Sequence, residues 1–295
     1  MILVAGSTGF VGQRVVRRLA GQGRRVRALV RLGADAGKVD AIRAEGVTFV
    51  EGDLKDPPSL RVACDGVSTV ISTASATISR GAGDTIDTVD RDGQLALVDA
   101  ARDAKVRHFI YLSFSGNMDV PSPLHDAKRA VERRVKEGGM TYTIVRPSIF
   151  MEVWLSPHAG FDPVGGSVRI FGTGDAPISV ISAADVAEYV AACVENPMVH
   201  NQTIELGGPR AVSLNDVVDM FERALGRSVQ RNYVPAAALE QQVATAAEPL
   251  QKTLAALALG VSRGDAIDSG PALEKARITL TPVSDYVKRV AGLQV

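Results

Sequence analysis

The segment ILVAGSTGFVG, residues 2–12, decides the fold of this chain. Its first four residues, Ile2 to Ala5, form a short apolar run of the kind that is buried on both faces of a parallel sheet. Glycines follow at Gly6, Gly9 and Gly12, and an amphipathic helical pattern starts there. Such glycines are a weak signal alone, but strand, turn and helix in this order predict a turn that binds the phosphates of a dinucleotide.

Each glycine of this turn has a separate physical role in that prediction. Gly6 takes a backbone conformation that a side chain would forbid, and Gly9 lets the backbone approach a pyrophosphate. Gly12 lets the helix lie close to the sheet. The start of the helix offers free N–H groups and a positive dipole end to the phosphates. The alternative is a tight structural turn without a ligand.

Strand and helix patterns alternate along most of the chain. Further strands are predicted at residues 25–30, 47–50, 67–72, 108–113, 141–145 and 203–206. Helices are predicted at residues 57–64, 88–104, 125–136, 182–195, 213–225, 236–260 and 285–290. The alternation predicts an α/β fold, a Rossmann-type doubly wound parallel sheet with right-handed crossovers.

A small C-terminal lobe is expected to accompany this sheet. Residues 1–150 form the predicted NADP(H)-binding core, which residues 175–206 join. Residues 151–174 and 207–295 form the predicted substrate lobe, which is not a separate domain. Its first part is rich in proline, glycine and aromatic residues and is expected to be dominated by loops.

The end of the second predicted strand indicates which dinucleotide binds. An NAD-selective site usually has an acid there to bond the ribose 2′-hydroxyl, whereas this chain has Arg31. A guanidinium suits the 2′-phosphate of NADP(H), and Arg14 and Lys38 are candidates to assist it. The alternative is a solvated surface arginine.

Composition and charge exclude other classes of function. Lys plus Arg and Asp plus Glu both total 33, which argues against a nucleic-acid or anionic-membrane surface. No run approaches the ~18 apolar residues of a membrane span. Cys64 and Cys193 stand in apolar contexts and are expected to be buried thiols. Met1 leads directly into the strand pattern, which argues against a signal peptide, so a cytoplasmic protein is expected.

Several segments resemble the atypical short-chain dehydrogenase/reductase superfamily, and its NmrA-like branch in particular. The matching segments are residues 6–12 (GSTGFVG), 52–54 (GDL), 71–74 (ISTA), 106–113 (VRHFIYLS), 128–132 (KRAVE), 141–147 (TYTIVRP) and 185–187 (DVA). They run in family order over roughly the first 210 residues. The resemblance implies NADP(H) binding, a substrate pocket between the sheet and the small lobe, and reductase chemistry.

The usual catalytic set of that superfamily is incomplete in this chain. Lys128 and Ser113 match the lysine and serine of its pattern, but Leu124 stands where the proton-donating tyrosine belongs. Lys128 is therefore predicted to contact the cofactor and to act in catalysis together with Ser113. His125 is the other candidate donor, although it is expected to point outward from the helix start.

The remaining predictions concern the lining of the site. The cofactor-binding residues predicted from the turn, the strand ends and the resemblance are Gly6, Ser7, Thr8, Gly9, Phe10, Val11, Gly12, Arg31, Asp53, Leu54, Thr73, Ala74, Ser75, Lys128 and Pro147. Phe150, Met151, Trp154 and Phe161 are expected to form an apolar substrate wall or to pack the lobe. Arg129 is expected on a solvated helix face. No metal site is predicted, because His108, His158 and His200 are scattered in sequence.

Three functions are compatible with these features. The leading one is an NADPH-dependent reductase of a small apolar carbonyl, quinone or conjugated acceptor, because a quinone needs less help from an acid than a ketone does. The second is a non-catalytic NADP(H)-binding sensor that acts through a protein partner. The third, a sugar-nucleotide epimerase, is disfavoured by Leu124. The substrate is expected to be a small molecule, and a homodimer is one open assembly.

Overall fold

The structure is a computed structural model, and it describes residues 1–78 and 80–294 of the 295-residue chain. Its strands are β1 (Ile2–Ala5), β2 (Val26–Val30), β3 (Thr48–Glu51), β4 (Thr69–Ser72), β5 (His108–Leu112), β6 (Thr141–Pro147), β7 (Phe161–Asp162), β8 (Ser167–Phe171), β9 (Gln202–Leu206) and β10 (Gln230–Val234). Its α-helices are α1 (Gly12–Gly21), α2 (Ala36–Arg43), α3 (Pro57–Cys64), α4 (Gln94–Asp103), α5 (Pro123–Glu137), α6 (Met151–Trp154), α7 (Ala183–Ala192), α8 (Leu214–Leu225), α9 (Ala236–Thr245), α10 (Pro249–Arg263), α11 (Gly270–Lys275) and α12 (Val283–Val290).

Seven strands form one parallel sheet in the order β3-β2-β1-β4-β5-β6-β9. The doubly wound parallel sheet predicted from the sequence is confirmed. The strand order reverses between β1 and β4, so the segments that leave these neighbours pass to opposite faces of the sheet. Such a reversal opens a crevice at the carboxyl ends of the strands.

Each face of the sheet carries its own apolar core, as the side-chain alternation of a strand requires. Ile2 and Val4 of β1 belong to the cluster that includes Val15 of α1 and Val186 of α7. Leu3, between them in the sequence, belongs to the cluster on the other face, with side chains from α3, α4 and α5. All of these apolar side chains are buried, so the continuous apolar run of β1 fits a strand covered on both sides.

A second sheet falls within the predicted C-terminal lobe: β8 pairs antiparallel with β7 and parallel with β10. Its apolar core includes Met151 and Phe161, which are both buried. The division of the chain into 1–150 with 175–206 and a lobe of 151–174 with 207–295 stays a prediction. Within the last range, Ala272 and Leu280 belong to the same apolar cluster as the α7 side chains of the main core.

Several elements differ from the sequence-based expectations. The helix expected at 88–104 begins as a π-helix (Ile86–Gly93) and continues as α4. The helix expected at 236–260 is two helices, because the chain leaves α9 at Ala246 and Pro249 starts α10. The strand β8 was missed in a segment expected to be loop, since its glycine-rich surroundings obscured the alternation of buried and exposed side chains.

The predicted boundaries of α8 are confirmed, and both follow from local chemistry. The Ser213 hydroxyl accepts a hydrogen bond from the Asp216 amide at the start, and Gly226 ends the helix at a φ of 65°. Among the described residues, no helix is both long enough and apolar enough to cross a bilayer.

Candidate functional site

A cavity of about 1530 Å³ opens at the carboxyl edge of the main sheet and extends under the C-terminal lobe. Of the predicted cofactor residues, those that line it are Gly6, Thr8, Gly9, Phe10, Val11, Arg31, Asp53, Leu54, Thr73, Ala74, Ser75, Lys128 and Pro147. These residues come from the turn after β1, from the ends of β2 to β4 and β6, and from α5. The fold therefore brings residues from six separate elements to one surface.

Ser7 and Gly12 do not line the cavity and instead hold the glycine turn in shape. The buried Ser7 hydroxyl donates to the Leu29 carbonyl oxygen at 2.7 Å and so ties the turn to β2. A Cβ atom on Gly12 would lie 2.0 Å from the Gly6 carbonyl oxygen, a contact that no side chain tolerates. Gly6 itself has a φ of 79°, which favours glycine.

The turn leaves backbone donors unpaired where α1 begins. Within the described residues, the backbone amides of Phe10, Val11 and Gly12 have no hydrogen-bond acceptor. They stand at the start of α1, where the helix dipole favours negative charge. A Cβ on Gly6 would lie 2.7 Å from the Ala74 amide nitrogen, so the turn is pressed against the end of β4. This arrangement is a cradle for an anionic group such as a pyrophosphate.

Arg31 lines the cavity, but its guanidinium already has a partner. It donates to the Asp84 carboxylate, which sequence reasoning missed because the two residues are 53 positions apart. Lys38 also lines the cavity. Arg14 does not, and its guanidinium lies over the Phe10 ring, 4.5 Å from the ring centre. Of the two residues expected to assist Arg31, Lys38 therefore lines the cavity and Arg14 does not.

Lys128 lies buried in the cavity wall with its ammonium group held on two sides. Its Nζ donates to the Leu112 carbonyl oxygen at 3.2 Å and lies 5.1 Å from the centre of the Tyr111 ring. The Asp90 carboxylate oxygen Oδ1 is 3.7 Å away. Burial lowers the pKa of Lys128 and the Asp90 carboxylate opposes that effect. Leu124, which the sequence pattern predicts to occupy the tyrosine position, lines the same cavity.

Asp90 is a site residue that sequence reasoning did not identify. It is fully buried on the π-helix, and its Oδ2 accepts from the Ala76 amide at 2.9 Å. Within the described chain its Oδ1 accepts no hydrogen bond and has the Lys128 ammonium as its neighbouring charge. No signal in the sequence separates Asp90 from Asp87 and Asp92, the other acids of the same stretch.

Ser113 lines the cavity, but its hydroxyl proton is already engaged. It donates to Glu132 Oε1 at 2.6 Å and accepts from Arg129 at 3.1 Å. Arg146 donates to the other oxygen of Glu132 at 2.5 Å. Burial would raise the pKa of Glu132, but the hydrogen bonds from Arg146 and Ser113 lower it. The expectation that Arg129 lies on a solvated face is wrong, because this buried ionic network holds its guanidinium.

The apolar wall of the cavity differs in part from the predicted one. Phe150 and Trp154 line the cavity, whereas Met151 and Phe161 are buried in the lobe core, so of the two alternatives packing of the lobe holds for the latter two. Phe171 completes the wall, with its ring centre 6.0 Å from that of Trp154.

The histidines are less scattered than expected. The rings of His108 and His200 stack edge to face with centres 5.0 Å apart, and burial lowers the pKa of His108 to about 4. Among the described residues, no three His, Cys, Asp or Glu side chains are arranged to hold a metal ion. His125 does not line the cavity and contacts the Asp126 carboxylate at 2.9 Å.

Comparisons with known proteins agree with this architecture. The NmrA-like family model matches residues 1–287. The chain is 30% identical over 293 residues to an NAD(P)H azoreductase of Xenophilus azovorans, covering 99% of this chain and 93% of that protein. It is 31% identical over 242 residues to the Photosystem II assembly factor Ycf39 of a Synechocystis species, covering 81% and 72%.

A solved structure shares the fold over nearly the full length. The NADPH-dependent quinone oxidoreductase QOR2 of Escherichia coli, complexed with NADPH, superposes with a TM-score of 0.79 at 22% identity. The match covers 98% of this chain and 99% of that one.

Proposed function

Because this chain belongs to the NmrA-like family, we propose that it is an NADPH-dependent reductase of a small, largely apolar carbonyl, quinone or conjugated acceptor. One observation carries the proposal. The glycine turn, the buried Lys128 ammonium and the aromatic wall of Trp154 and Phe171 all face one continuous cavity. A site for a dinucleotide and a site for an apolar molecule therefore adjoin each other.

The chain fits NADP(H) at the turn. The free amides at the start of α1 suit the pyrophosphate, and the absence of a Cβ at Gly6 and Gly12 is what allows that shape. Arg31 and Lys38 suit the 2′-phosphate. Asp53 and Leu54 would flank the adenine, and residues 73–75 would line the path towards the nicotinamide.

NADPH would supply the hydride. Lys128 would hold a positive charge in the cavity wall, where it stabilises negative charge on the oxygen of the reduced acceptor. The apolar side chains of the lobe would exclude water, which strengthens that interaction. Leu124 has no proton to give, and the Ser113 proton is held by Glu132. Lys128, His158 and water are the remaining proton sources at the cavity. An acceptor whose product is a stabilised phenolate needs least help from an acid and suits this site best.

A second candidate is favoured by the similarity to the Photosystem II assembly factor. In that case the chain binds NADP(H) without turnover and acts through a protein partner. The reductase requires no protein partner. The two candidates therefore differ in whether the NADPH-bound protein reduces a small molecule. Both fit a reducing compartment such as the cytoplasm, since Cys64 and Cys193 are free and buried.

Rapid mixing of the NADPH-loaded protein with quinones, azo dyes and enones tests the proposal. We expect at least one conjugated acceptor to oxidise the bound NADPH in a single turnover. Simple ketones serve as the matched comparison, and we expect them to react more slowly because they need an acid. Tight NADPH binding without oxidation by any acceptor would favour the assembly-type function instead.

A further inference from the structure

We propose that Asp84 is a specificity-determining residue that limits how strongly this chain prefers NADPH to NADH, because its carboxylate competes with the 2′-phosphate for Arg31. The inference rests on the proposed NADP(H) site. It concerns a residue that neither the glycine-turn pattern nor the family resemblance identifies.

The carboxylate of Asp84 is held from three directions. Its Oδ1 accepts from Lys55 Nζ at 2.5 Å, and its Oδ2 accepts from the Gly81 amide at 2.7 Å and from Arg31. The side chain is 3% exposed, whereas that of Arg31 is 40% exposed. Burial would raise the pKa of Asp84, but the hydrogen bonds from Lys55, Gly81 and Arg31 lower it to about 2. The group is therefore an anion at neutral pH.

The three partners of Asp84 are not equivalent. Arg31 and Asp84 line the cavity, and Lys55 does not. If Arg31 turns towards a phosphate in the cavity, Lys55 and the Gly81 amide still bind the carboxylate. Asp84 therefore keeps hydrogen-bond partners when Arg31 leaves. A buried carboxylate without any partner would carry a prohibitive free-energy cost.

Release of Arg31 nevertheless disfavours the 2′-phosphate relative to a 2′-hydroxyl. The phosphate must replace an existing ion pair, and its charge then lies near a fixed carboxylate of the same sign. A hydroxyl is neutral and has no need to detach Arg31. Asp84 consequently weakens binding of the phosphorylated nucleotide more than binding of the unphosphorylated one.

Titrations with 2′,5′-ADP and 5′-AMP isolate this subsite from the reaction. We expect Asp84→Asn, which removes the charge and keeps one carbonyl oxygen as an acceptor for either Lys55 or the Gly81 amide, to tighten 2′,5′-ADP about tenfold. Binding of 5′-AMP should change by less than about twofold, which also shows that the site is intact. Asp87→Asn is the matched control, because Asp87 is half-exposed and pairs with Arg91 on the π-helix.

A double-mutant cycle shows whether Asp84 weakens 2′-phosphate binding through Arg31. In an Arg31→Met background, Asp84→Asn should raise 2′,5′-ADP affinity by much less than tenfold, because only the direct repulsion between carboxylate and phosphate is then removed. A tenfold gain that persists without Arg31 would overturn the competition, as would equal or weaker binding of 2′,5′-ADP in Asp84→Asn. If that variant loses 5′-AMP binding, Asp84→Ser repeats the test with the same expectations. Failure of the unmodified protein to bind either nucleotide would instead overturn the proposed cofactor site, and this inference with it.

Discussion

Lys128 Nζ of α5 lies 3.7 Å from Asp90 Oδ1 of the π-helix, and both side chains are buried. Asp90 is placed there by a π-helix, whose wider turn differs from the regular α-helix that the sequence predicted. Its other oxygen is bound to the Ala76 amide, so the carboxylate cannot turn away from the lysine. The pair fixes a charged group at the boundary between the proposed cofactor and substrate sites.

Replacement of Lys128 tests its chemical role. We expect Lys128→Met to lower the single-turnover rate of NADPH oxidation by about two orders of magnitude, within the range of acid–base and charge-stabilising groups. NADPH affinity should fall much less, because the glycine turn and Arg31 are unchanged. Stopped-flow oxidation and cofactor titration measure the two effects. Lys136→Met, on the exposed face of the same helix, is the control, and equal rates in both variants would remove Lys128 from the mechanism.

Replacement of Asp90 tests the electrostatics of the pair through the pH dependence of turnover. Protonated Lys128 is present below its pKa, so turnover that needs its charge falls as pH rises through that value. Burial already lowers this pKa; Asp90 and Glu132 raise it, and Arg129 lowers it.

Asp90→Asn removes one of the raising groups, so the alkaline fall in kcat should move to lower pH. The measurement is the pH profile of kcat in both proteins, with Asp87→Asn as the control on the same π-helix. A profile that Asp90→Asn leaves in place would show that Asp90 has only a packing role.

Two glycines of the turn should respond differently to added side chains. Gly9 lines the cavity and has an ordinary φ, and its Cβ would lie 3.0 Å from the Gly6 carbonyl oxygen. We expect Gly9→Val to abolish NADPH binding while the protein stays folded, because the side chain occupies the space of the pyrophosphate. Calorimetric titration measures NADPH binding, and circular dichroism shows whether the variant is folded.

Gly12→Ala is the matched contrast. Its Cβ would lie 2.0 Å from the Gly6 carbonyl oxygen and does not face the cavity. We expect a loss of folding stability of about 1–3 kcal/mol or more, as overpacking causes, measured by denaturant unfolding.

The outcome that would contradict the first of these expectations concerns Gly9→Val. Normal NADPH binding by the folded Gly9→Val variant would show that the phosphate site lies elsewhere.

Arg31 should determine the preference for NADPH. Charge-assisted hydrogen bonds contribute roughly 1.5–3 kcal/mol, and competition from Asp84 places the expected preference at the lower end, about tenfold over NADH. Arg31→Asp should remove most of it, because a carboxylate repels the 2′-phosphate and suits a hydroxyl. Titration of both dinucleotides measures the ratio. Equal affinities in the unmodified protein would refute the assignment.

The sequence alone determined the sheet and the position of the glycine turn. These features depend on residues close together in the chain: the buried run of β1, Gly6 with its positive φ, and Gly12 against the Gly6 carbonyl. Ser213 and Gly226 likewise set the ends of α8 by contacts within one helical turn. Periodicity and turn chemistry are local properties, so they can be recognised without a tertiary structure.

The tertiary structure alone decided which charges meet and which side chains face the cavity. Asp84 reaches Arg31 across 53 residues, and Glu132 accepts the hydrogen bond of the Ser113 hydroxyl across 19. Phe171 lines the cavity while Phe161 is buried in the lobe core. No local pattern encodes such pairings, because a buried ion pair or an aromatic wall depends on how distant elements pack, and the free energy of a buried charge depends on the partner that packing supplies.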